Sequence, residues 1–342
     1  MRRAVFASVT ASLVLAPAAM AQVPVPPGTP TTPTPPPPAP LKTASIRVGV
    51  EGLRFQGRTY VVAHTRLRVL GHMNPAAAGD VVTIDLFRNG KLVQRTHSTV
   101  GRKGNFLAHL RARTTSSFTL QARHRKGAKV GAGKSKHAAF SAIGGSYHVG
   151  SSGTEVRLIQ RQLARLSYVT PRSGRYDDAT GRAVLAYRKV NRMARITSTN
   201  QTIVERLFQF RGTFKLRYPN AGKHVEADLS RQVLVLADNG RPERIYHVSS
   251  GKPSTPTVVG SFRFYRKSPG YNAKAMYFSS YFVGGYAIHG YHDVPTYNAS
   301  HGCLRVPLGN AVSIYNWISL GDRIFVYQKG KGSTRLLPNA GP

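Results

Sequence analysis

The sequence contains a single cysteine, Cys303, among its 342 residues. One thiol cannot form an intramolecular disulfide, and a secreted domain that depended on disulfides would carry paired cysteines. This scarcity excludes a fold held together by disulfides and argues against a structural zinc site built on several cysteines. Cys303 is therefore a free thiol, which favours a chemical role over a structural one.

The sequence also lacks an apolar run long enough to span a bilayer as a helix, which takes about 20 residues. The apolar stretch at 5–15 is short, follows Arg2 and Arg3, and precedes an Ala-Met-Ala motif at 19–21. These are the three features of a secretory signal peptide. We therefore predict that residues 1–21 are removed. The mature protein is expected to be secreted, in the cell wall or otherwise extracytoplasmic, with no stable membrane span.

Acidic residues are scarce as well, with 13 Asp and Glu against 49 Lys and Arg and a net charge of +36. A field of this sign attracts polyanions. Nucleic acid would require a cytoplasmic chain or a binding motif that combines aromatic and basic residues, and the sequence shows neither. We therefore expect no nucleic-acid partner, and anionic wall polymers or stem-peptide carboxylates instead.

The first part of the mature chain is predicted to be a linker followed by a β domain. Residues 22–43 are rich in proline, which predicts an extended linker. Over residues 44–141 apolar positions alternate, and Asn89-Gly90 is typical of a two-residue hairpin turn. Several short strands of this kind predict an all-β, immunoglobulin-like sandwich, loosely similar to bacterial domains of that type. A spacer without a ligand is the simpler interpretation of its function.

The apolar period becomes helical over residues 149–212. Ser152 and Glu155 have the spacing of a capping box, and Asp177 and Asn200 precede the next two apolar segments as candidate N-caps. The segment is therefore predicted to form a small three-helix domain.

Two motifs in this helical segment, Gly-Thr-Glu-Val at 153–156 and Gly-Arg-Tyr-Asp at 174–177, resemble those of peptidoglycan-binding repeats. The resemblance implies that the segment binds wall glycan. The Asp-Gly pair that precedes the third helix in such repeats is replaced around 195–199, so a helical spacer without a sugar groove remains the alternative.

Residues 223–328 return to strand patterns, with a turn at 238–240. Residues 311–318 predict one amphipathic helix with Val312, Tyr315 and Ile318 on its buried face. Residues 329–342 are predicted to be a tail. The predicted fold class is multidomain: an all-β immunoglobulin-like sandwich, a small three-helix domain and a mostly-β domain with one helix.

Cys303 lies in the run Ser-His-Gly-Cys-Leu-Arg at 300–305, and Ile-His-Gly occurs at 288–290. A thiol attacks carbonyls as its thiolate, so it needs a base or cation that lowers its pKa from about 8.5. His289 or His301 could provide this. Gly302 suits a sharp turn whose N–H groups face a developing oxyanion. A structural cysteine near surface histidines is the alternative.

Together, 288–290 and 300–305 resemble the active-site signature of the L,D-transpeptidases, the YkuD-like domains that cross-link peptidoglycan. The resemblance extends over residues 223–328. It implies a cysteinyl thioester, release of D-alanine and 3→3 cross-links between stem peptides, without a cofactor. Hydrolysis by an L,D-carboxypeptidase of the same fold and a non-catalytic wall-binding scaffold are the alternatives.

The resemblance also implies roles for individual residues. Cys303 would be the nucleophile and His289 the proton donor and acceptor, oriented by the carbonyl of Gly290. His301 would support the pocket, and the N–H groups near Gly302 and Cys303 would bind the oxyanion. The residues expected to bind substrate are Arg305, Tyr281, Tyr291 and Ser300.

A metal site is the remaining alternative for this region. His289, His292, His301 and Cys303 are potential zinc ligands, but catalytic zinc also needs a carboxylate base, for which Asp293 is the nearby candidate. We therefore expect no metal.

Overall fold

The computed structural model describes residues 39–332. The predicted signal peptide, nearly all of the predicted proline-rich linker and most of the predicted tail lie outside the described residues. Within residues 39–332, no helix is both long and apolar enough to cross a membrane.

The first part of the described chain is a sandwich of two β-sheets. Its strands are β1 (Ser45–Val50), β2 (Leu53–Phe55), β3 (Arg58–Val62), β4 (Leu67–Asn74), β5 (Val81–Arg88), β6 (Lys91–Thr99), β7 (Asn105–Leu110), β8 (Ser116–His124), β9 (Gly133–Lys134) and β10 (Ala138–Ile143). One sheet has the order β1-β4-β7, and the other β2-β3-β10-β8-β5-β6 with β9 beside β8. Apolar side chains from both sheets form one core.

The alternation seen in the sequence matches this sandwich. Val82, Ile84 and Leu86 on β5 are all buried. Asn89 and Gly90 both have positive φ, 49° and 74°, which is the turn whose twist suits a β-hairpin. The two-sheet architecture is thus present, whereas the immunoglobulin-like assignment of 44–141 stays a prediction.

Three helices follow: α1 (Thr154–Arg165), α2 (Asp178–Val190) and α3 (Gln201–Phe208). Asp177 and Asn200 cap α2 and α3 as predicted, because each side chain accepts a hydrogen bond from a backbone N–H in the first turn. The predicted capping box of α1 is wrong. Its N-cap is Gly153, with a φ of 118° and no side-chain cap, and Ser152 pairs in an isolated bridge with Arg175.

The helices share one hydrophobic core with both β parts of the molecule. This core joins residues of the three helices to Tyr60 and Ile143 of the sandwich and to Val235 and Ile245 of the next sheet. The helical segment is therefore packed on both sides and does not form a separate core.

The last part contains nine strands and one helix within the described residues. They are β11 (His224–Asp228), β12 (Val233–Asp238), β13 (Arg241–His247), β14 (Gly260–Arg263), β15 (Arg266–Tyr271), β16 (Tyr277–Val283), β17 (Tyr286–Tyr291), β18 (Leu304–Pro307), α4 (Leu308–Trp317) and β19 (Arg323–Tyr327). One sheet has the order β13-β12-β11-β19-β14 and the other β15-β16-β17-β18, around a shared core.

Helix α4 differs from its prediction in position and in its buried face. It begins directly after Pro307, and Ala311, Ile314 and Ile318 are each 1% exposed, whereas Val312 is 37% exposed. Positions 311, 314 and 318 keep the spacing of three and four residues that one helix face requires. The sequence pattern therefore indicated a helix and was right about Ile318, but it placed Val312 and Tyr315 on the buried face where Ala311 and Ile314 are buried.

Candidate active site

The site is built where two parallel strands, β17 and β18, lie side by side. Ile288 pairs with Leu304, and His289 pairs with Arg305. Ile288 and Leu304 face the domain core. Successive side chains of a strand point to opposite faces, so His289 and Arg305 lie on the other face, as does Ala287, two residues before His289. Cys303 directly precedes β18 and packs against the cluster that contains Ala287. The thiol therefore lies on the same side of the sheet as His289.

His289 is held as a neutral imidazole. Its side chain is 3% exposed. Its Nδ1–H donates to the carbonyl oxygen of Gly290 at 2.9 Å, because a carbonyl can only accept. Burial lowers the pKa of His289 to about 4. The hydrogen bond to Gly290 opposes this shift, whereas the charge of Arg305 adds to it. Near neutral pH the lone pair on Nε2 is therefore available to accept a proton.

Cys303 is half-buried and packs against an apolar cluster of Met276, Tyr281 and Ala287. Its Sγ–H donates to the carbonyl oxygen of Gly285 at 3.6 Å. Burial raises the pKa of the Cys303 thiol, while a backbone hydrogen bond at Ala287 and the charges of Arg305 and Lys274 oppose that rise. The sequence led us to expect a lowered pKa. That expectation is wrong for the resting site, because the desolvation it could not reveal is the largest effect.

Ser300 organises the turn that carries the thiol. Its side chain is buried, and its hydroxyl donates to the carbonyl oxygen of Cys303 at 2.6 Å and accepts the N–H of Gly302 at 3.0 Å. Thr257 donates its hydroxyl to the carbonyl oxygen of Gly302 at 2.7 Å. The φ of Gly302 is 122°, and a Cβ there would lie 2.6 Å from the ring of Tyr286. The turn therefore requires glycine and has one well-defined shape.

These contacts change two predicted roles. The sequence suggested two roles for Ser300, substrate binding and hydrogen bonding within its loop, and its buried hydroxyl has the second of these. Gly302 was expected to offer its N–H to an oxyanion, but that N–H already donates to Ser300. Of the two backbone donors that the sequence suggested, the N–H of Cys303 is the one left for that role.

His301 lies apart from this buried arrangement. Its side chain is exposed, and its Nε2 is 3.4 Å from the Nζ of Lys252. Its neighbour is thus a cation. Within residues 39–332, no group of three His, Cys, Asp or Glu side chains is placed to hold a metal ion.

Three of the predicted substrate-binding residues form cation–aromatic pairs around the site. The guanidinium of Arg305 lies 4.0 Å from the centre of the Tyr291 ring, and Tyr291 meets the His289 ring edge-on at 5.8 Å. Tyr281, in the cluster under Cys303, has the guanidinium of Arg266 4.0 Å above its ring. Within the described chain Arg305 has no carboxylate partner, so it is not part of a structural salt bridge.

The sequence gave no sign of a second group of contacts that holds the loop between β17 and β18. His247 donates from Nε2 to the carbonyl oxygen of Val294 at 3.0 Å, and accepts at Nδ1 from the Nζ of Lys189 on α2 at 2.7 Å. Arg195 donates to the carbonyl oxygen of Thr296 at 3.0 Å. The partners are far apart in sequence, so local patterns carry no signal for them.

Lys189 and His247 are an unusual buried pair. They are 2% and 3% exposed. Burial lowers the pKa of both side chains, and the positive charge of Arg195 lowers both further. The pair therefore joins α2 to β13, in the five-stranded sheet, through hydrogen bonds and not through an ion pair.

The comparisons with known proteins agree with this geometry. The profile of the YkuD family, the L,D-transpeptidase catalytic domain, matches residues 222–326. The solved L,D-transpeptidase from Xylanimonas cellulosilytica is 32% identical, with a TM-score of 0.50, over 53% of this chain and 97% of that one. The Stackebrandtia nassauensis L,D-transpeptidase is 18% identical over 54% of this chain and 97% of that one, with a TM-score of 0.34. No curated protein sequence matches the chain.

Proposed function

Because this chain belongs to the L,D-transpeptidase family, we propose that it is a secreted peptidoglycan L,D-transpeptidase that forms 3→3 cross-links through a thioester on Cys303. The observation that carries the proposal is the neutral His289, whose Nδ1–H is tied to Gly290 while its Nε2 remains an acceptor on the same sheet face as the thiol. The proposed substrate is the stem peptide of peptidoglycan.

Acylation begins from a neutral thiol and a neutral imidazole. In the resting site the thiol pKa is raised and the imidazole pKa is lowered, so neither group is charged near pH 7. As Sγ attacks the carbonyl between the third stem residue and the terminal D-alanine, its proton passes to Nε2 of His289. The resulting imidazolium and oxyanion are formed together, and each charge stabilises the other.

The tetrahedral intermediate then collapses. The carbon–nitrogen bond to D-alanine breaks, Nε2 returns the proton to the departing amine, and the thioester remains on Cys303. An amine on the side chain of a second stem peptide attacks the thioester, with His289 again accepting and returning the proton. The products are the free thiol and a new amide bond between two stems.

Arg305 and Tyr291 are proposed to bind the donor stem. A guanidinium without a carboxylate partner in the described chain can bind a stem carboxylate through two hydrogen bonds. The ring of Tyr291 holds the guanidinium on the His289 side of the site. Tyr281 is buried under Cys303 and acts through packing.

The helical segment is proposed to bind wall glycan beside the catalytic domain. Pull-down of the full chain with isolated sacculi at low and high salt measures this binding. Attraction between exposed charges is screened over about 8 Å at physiological ionic strength, so the component from the +36 charge should disappear at high salt. Binding that survives supports the glycan site, and complete loss assigns the helices to a spacer.

Incubation of the full chain with a defined tetrapeptide muropeptide, followed by mass analysis of the products, tests the reaction. A cross-linked dimer and free D-alanine are expected. If tripeptide and D-alanine form without dimer, even at high acceptor concentration, the protein is an L,D-carboxypeptidase and not a transpeptidase. No change in the substrate, while a thiol reagent still labels Cys303, would support the scaffold.

A further inference from the structure

A second concave site, whose lining includes neither Cys303 nor His289, lies where the segment after α2 meets the ends of β11 and β19. It is a cavity of about 490 Å³. Its walls come from the segment after α2, from the chain before β11, from the β11–β12 turn and from the end of β19. Charged residues that line the cavity include Arg192, Arg195, Arg217, Asp228, Arg231 and Lys329.

The charges around this cavity are unbalanced. Asp228 is its one carboxylate, and it is already bound to Arg231 at 2.7 Å. Within residues 39–332, the side chains of Arg192, Arg195, Arg217 and Lys329 form no ion pair with a carboxylate. Like charges gathered in a concavity repel one another more strongly than on an open surface, because fewer waters separate them.

Two features distinguish this cavity from the basic surface elsewhere. The guanidinium of Arg217 is fixed 5.0 Å from the centre of the Tyr327 ring, and Arg195 is tied to the carbonyl oxygens of Thr296 and Ser230. Both cations are thus held in place before any ligand arrives. Nε of Arg231 is also buried without a hydrogen-bond partner in the described chain.

We propose that this cavity binds a small anion that carries at least two oxyanion groups. Guanidinium groups present paired donors that match carboxylate or phosphate oxygens. The volume falls within the range of about 300–1,000 Å³ typical of small-molecule sites and exceeds what one inorganic ion would fill. The shared chemistry is a multivalent oxyanion, whether the groups are carboxylates or phosphates. The site is separate from the cysteine chemistry and does not depend on it.

Isothermal titration calorimetry of the full chain at constant ionic strength tests this proposal, with pyrophosphate, citrate and acetate as probes. Pyrophosphate or citrate should bind at one site per chain, and acetate should bind more weakly. Binding of pyrophosphate alone identifies a phosphate ligand, and binding of citrate alone a carboxylate ligand; either supports the site. Absence of saturable binding by both would overturn it.

Matched double variants separate a built site from the general field of the protein. Arg192→Gln with Lys329→Gln removes two exposed cations of the cavity. Arg102→Gln with Lys103→Gln removes two exposed cations from the β6–β7 turn of the sandwich. We expect the first pair to weaken binding about tenfold, equivalent to ~1.4 kcal/mol, and the second to leave it unchanged. Equal weakening in both would show only non-specific attraction.

Discussion

At the scale of single residues, the site combines a raised thiol pKa with a lowered imidazole pKa. Burial is the largest cause of both shifts. A preformed thiolate–imidazolium pair would require the opposite shifts. The structure therefore favours proton transfer during the attack on substrate over a charged resting state.

Replacing Cys303 with serine should abolish turnover with little effect on folding. A hydroxyl has a much higher pKa than a thiol, so the neutral imidazole of His289 would have to remove a far less acidic proton. We expect a loss of at least about 10³-fold in rate, since removing a nucleophile can cost about 10⁶-fold, and a melting temperature close to that of the wild type. Product masses and thermal unfolding measure the two effects. Substantial dimer formation by the folded variant would contradict the assignment of the nucleophile.

Neutralising Arg305 should shift the alkylation profile of Cys303 toward higher pH. The charge of Arg305 lowers the thiol pKa, so its removal in Arg305→Gln raises that pKa further. Since the thiolate is the reactive form, alkylation should then begin at higher pH than in the wild type. Cys303 is the only cysteine, so iodoacetamide labelling followed by mass reports this one group. Arg305→Lys should largely restore the profile, and His292→Ala should not change it.

At the scale of elements, the loop between β17 and β18 is held from outside its own sheet. The carbonyl oxygens of Val294, Thr296 and Tyr297 accept from His247, Arg195 and Ser249 respectively. Arg195 belongs to the segment after α2, and Lys189 on α2 holds His247. The helices thus contribute to the position of the loop that ends at Cys303.

Replacing Lys189 with methionine should destabilise the protein by about 1–3 kcal/mol, the cost of leaving buried acceptors unpaired. The acceptors that lose their partner are the carbonyl oxygen of Val248 and the Nδ1 of His247, while the carbonyl oxygen of Gln232 keeps the N–H of Val248. Methionine fills a similar volume, so a cavity contributes little. Lys215→Met, at an exposed position, is the matched control and should change the unfolding free energy by less than about 0.5 kcal/mol. Urea unfolding at pH 7 measures the unfolding free energy of both variants. Equal changes would show that the buried hydrogen bonds of Lys189 do not stabilise the fold.

At the scale of the whole molecule, three neutral buried bases tie stability to pH. The folded state lowers the pKa of His289 to about 4 and that of His247 to about 3, from 6.5 for both. The unfolded chain therefore binds more protons between about pH 4 and 6.5, and unfolding becomes easier as pH falls through this window. The pKa of Lys189 is lowered to about 6, so above pH 6 this residue also makes the folded state less stable as the pH falls.

Between pH 7 and pH 5.5 the free energy of unfolding should therefore fall by about 1 kcal/mol for each of His289 and His247, whereas buried His224, whose pKa is raised, acts with the opposite sign. Urea unfolding across this range at constant ionic strength measures the slope. His292→Ala, at an exposed position, should leave the slope unchanged, and Lys189→Met should flatten it above pH 6. A stability that does not vary between pH 5.5 and 7 would show that the histidines are not buried as neutral bases.

Local patterns in the sequence predicted most of the elements, although not the N-cap of α1 or the buried face of α4, and they indicated candidate reactive residues. Apolar alternation predicted β5, Asn89-Gly90 predicted a hairpin turn, and Asp177 and Asn200 predicted the starts of two helices. The runs at 288–290 and 300–305 pointed to Cys303 and His289. These features depend on neighbours within a few positions along the chain, so they can be read without the fold.

The chemical state of the site was decided by the tertiary structure. The thiol pKa depends on Met276, Tyr281 and Ala287, which remove water from Cys303. The role of Ser300 depends on a turn that closes over it, and the basic cavity depends on segments from about Arg192 to Lys329 that meet only in the folded chain. Desolvation and charge act through space between residues distant in sequence, so the sequence alone determined the reactive groups and the fold determined their protonation and their partners.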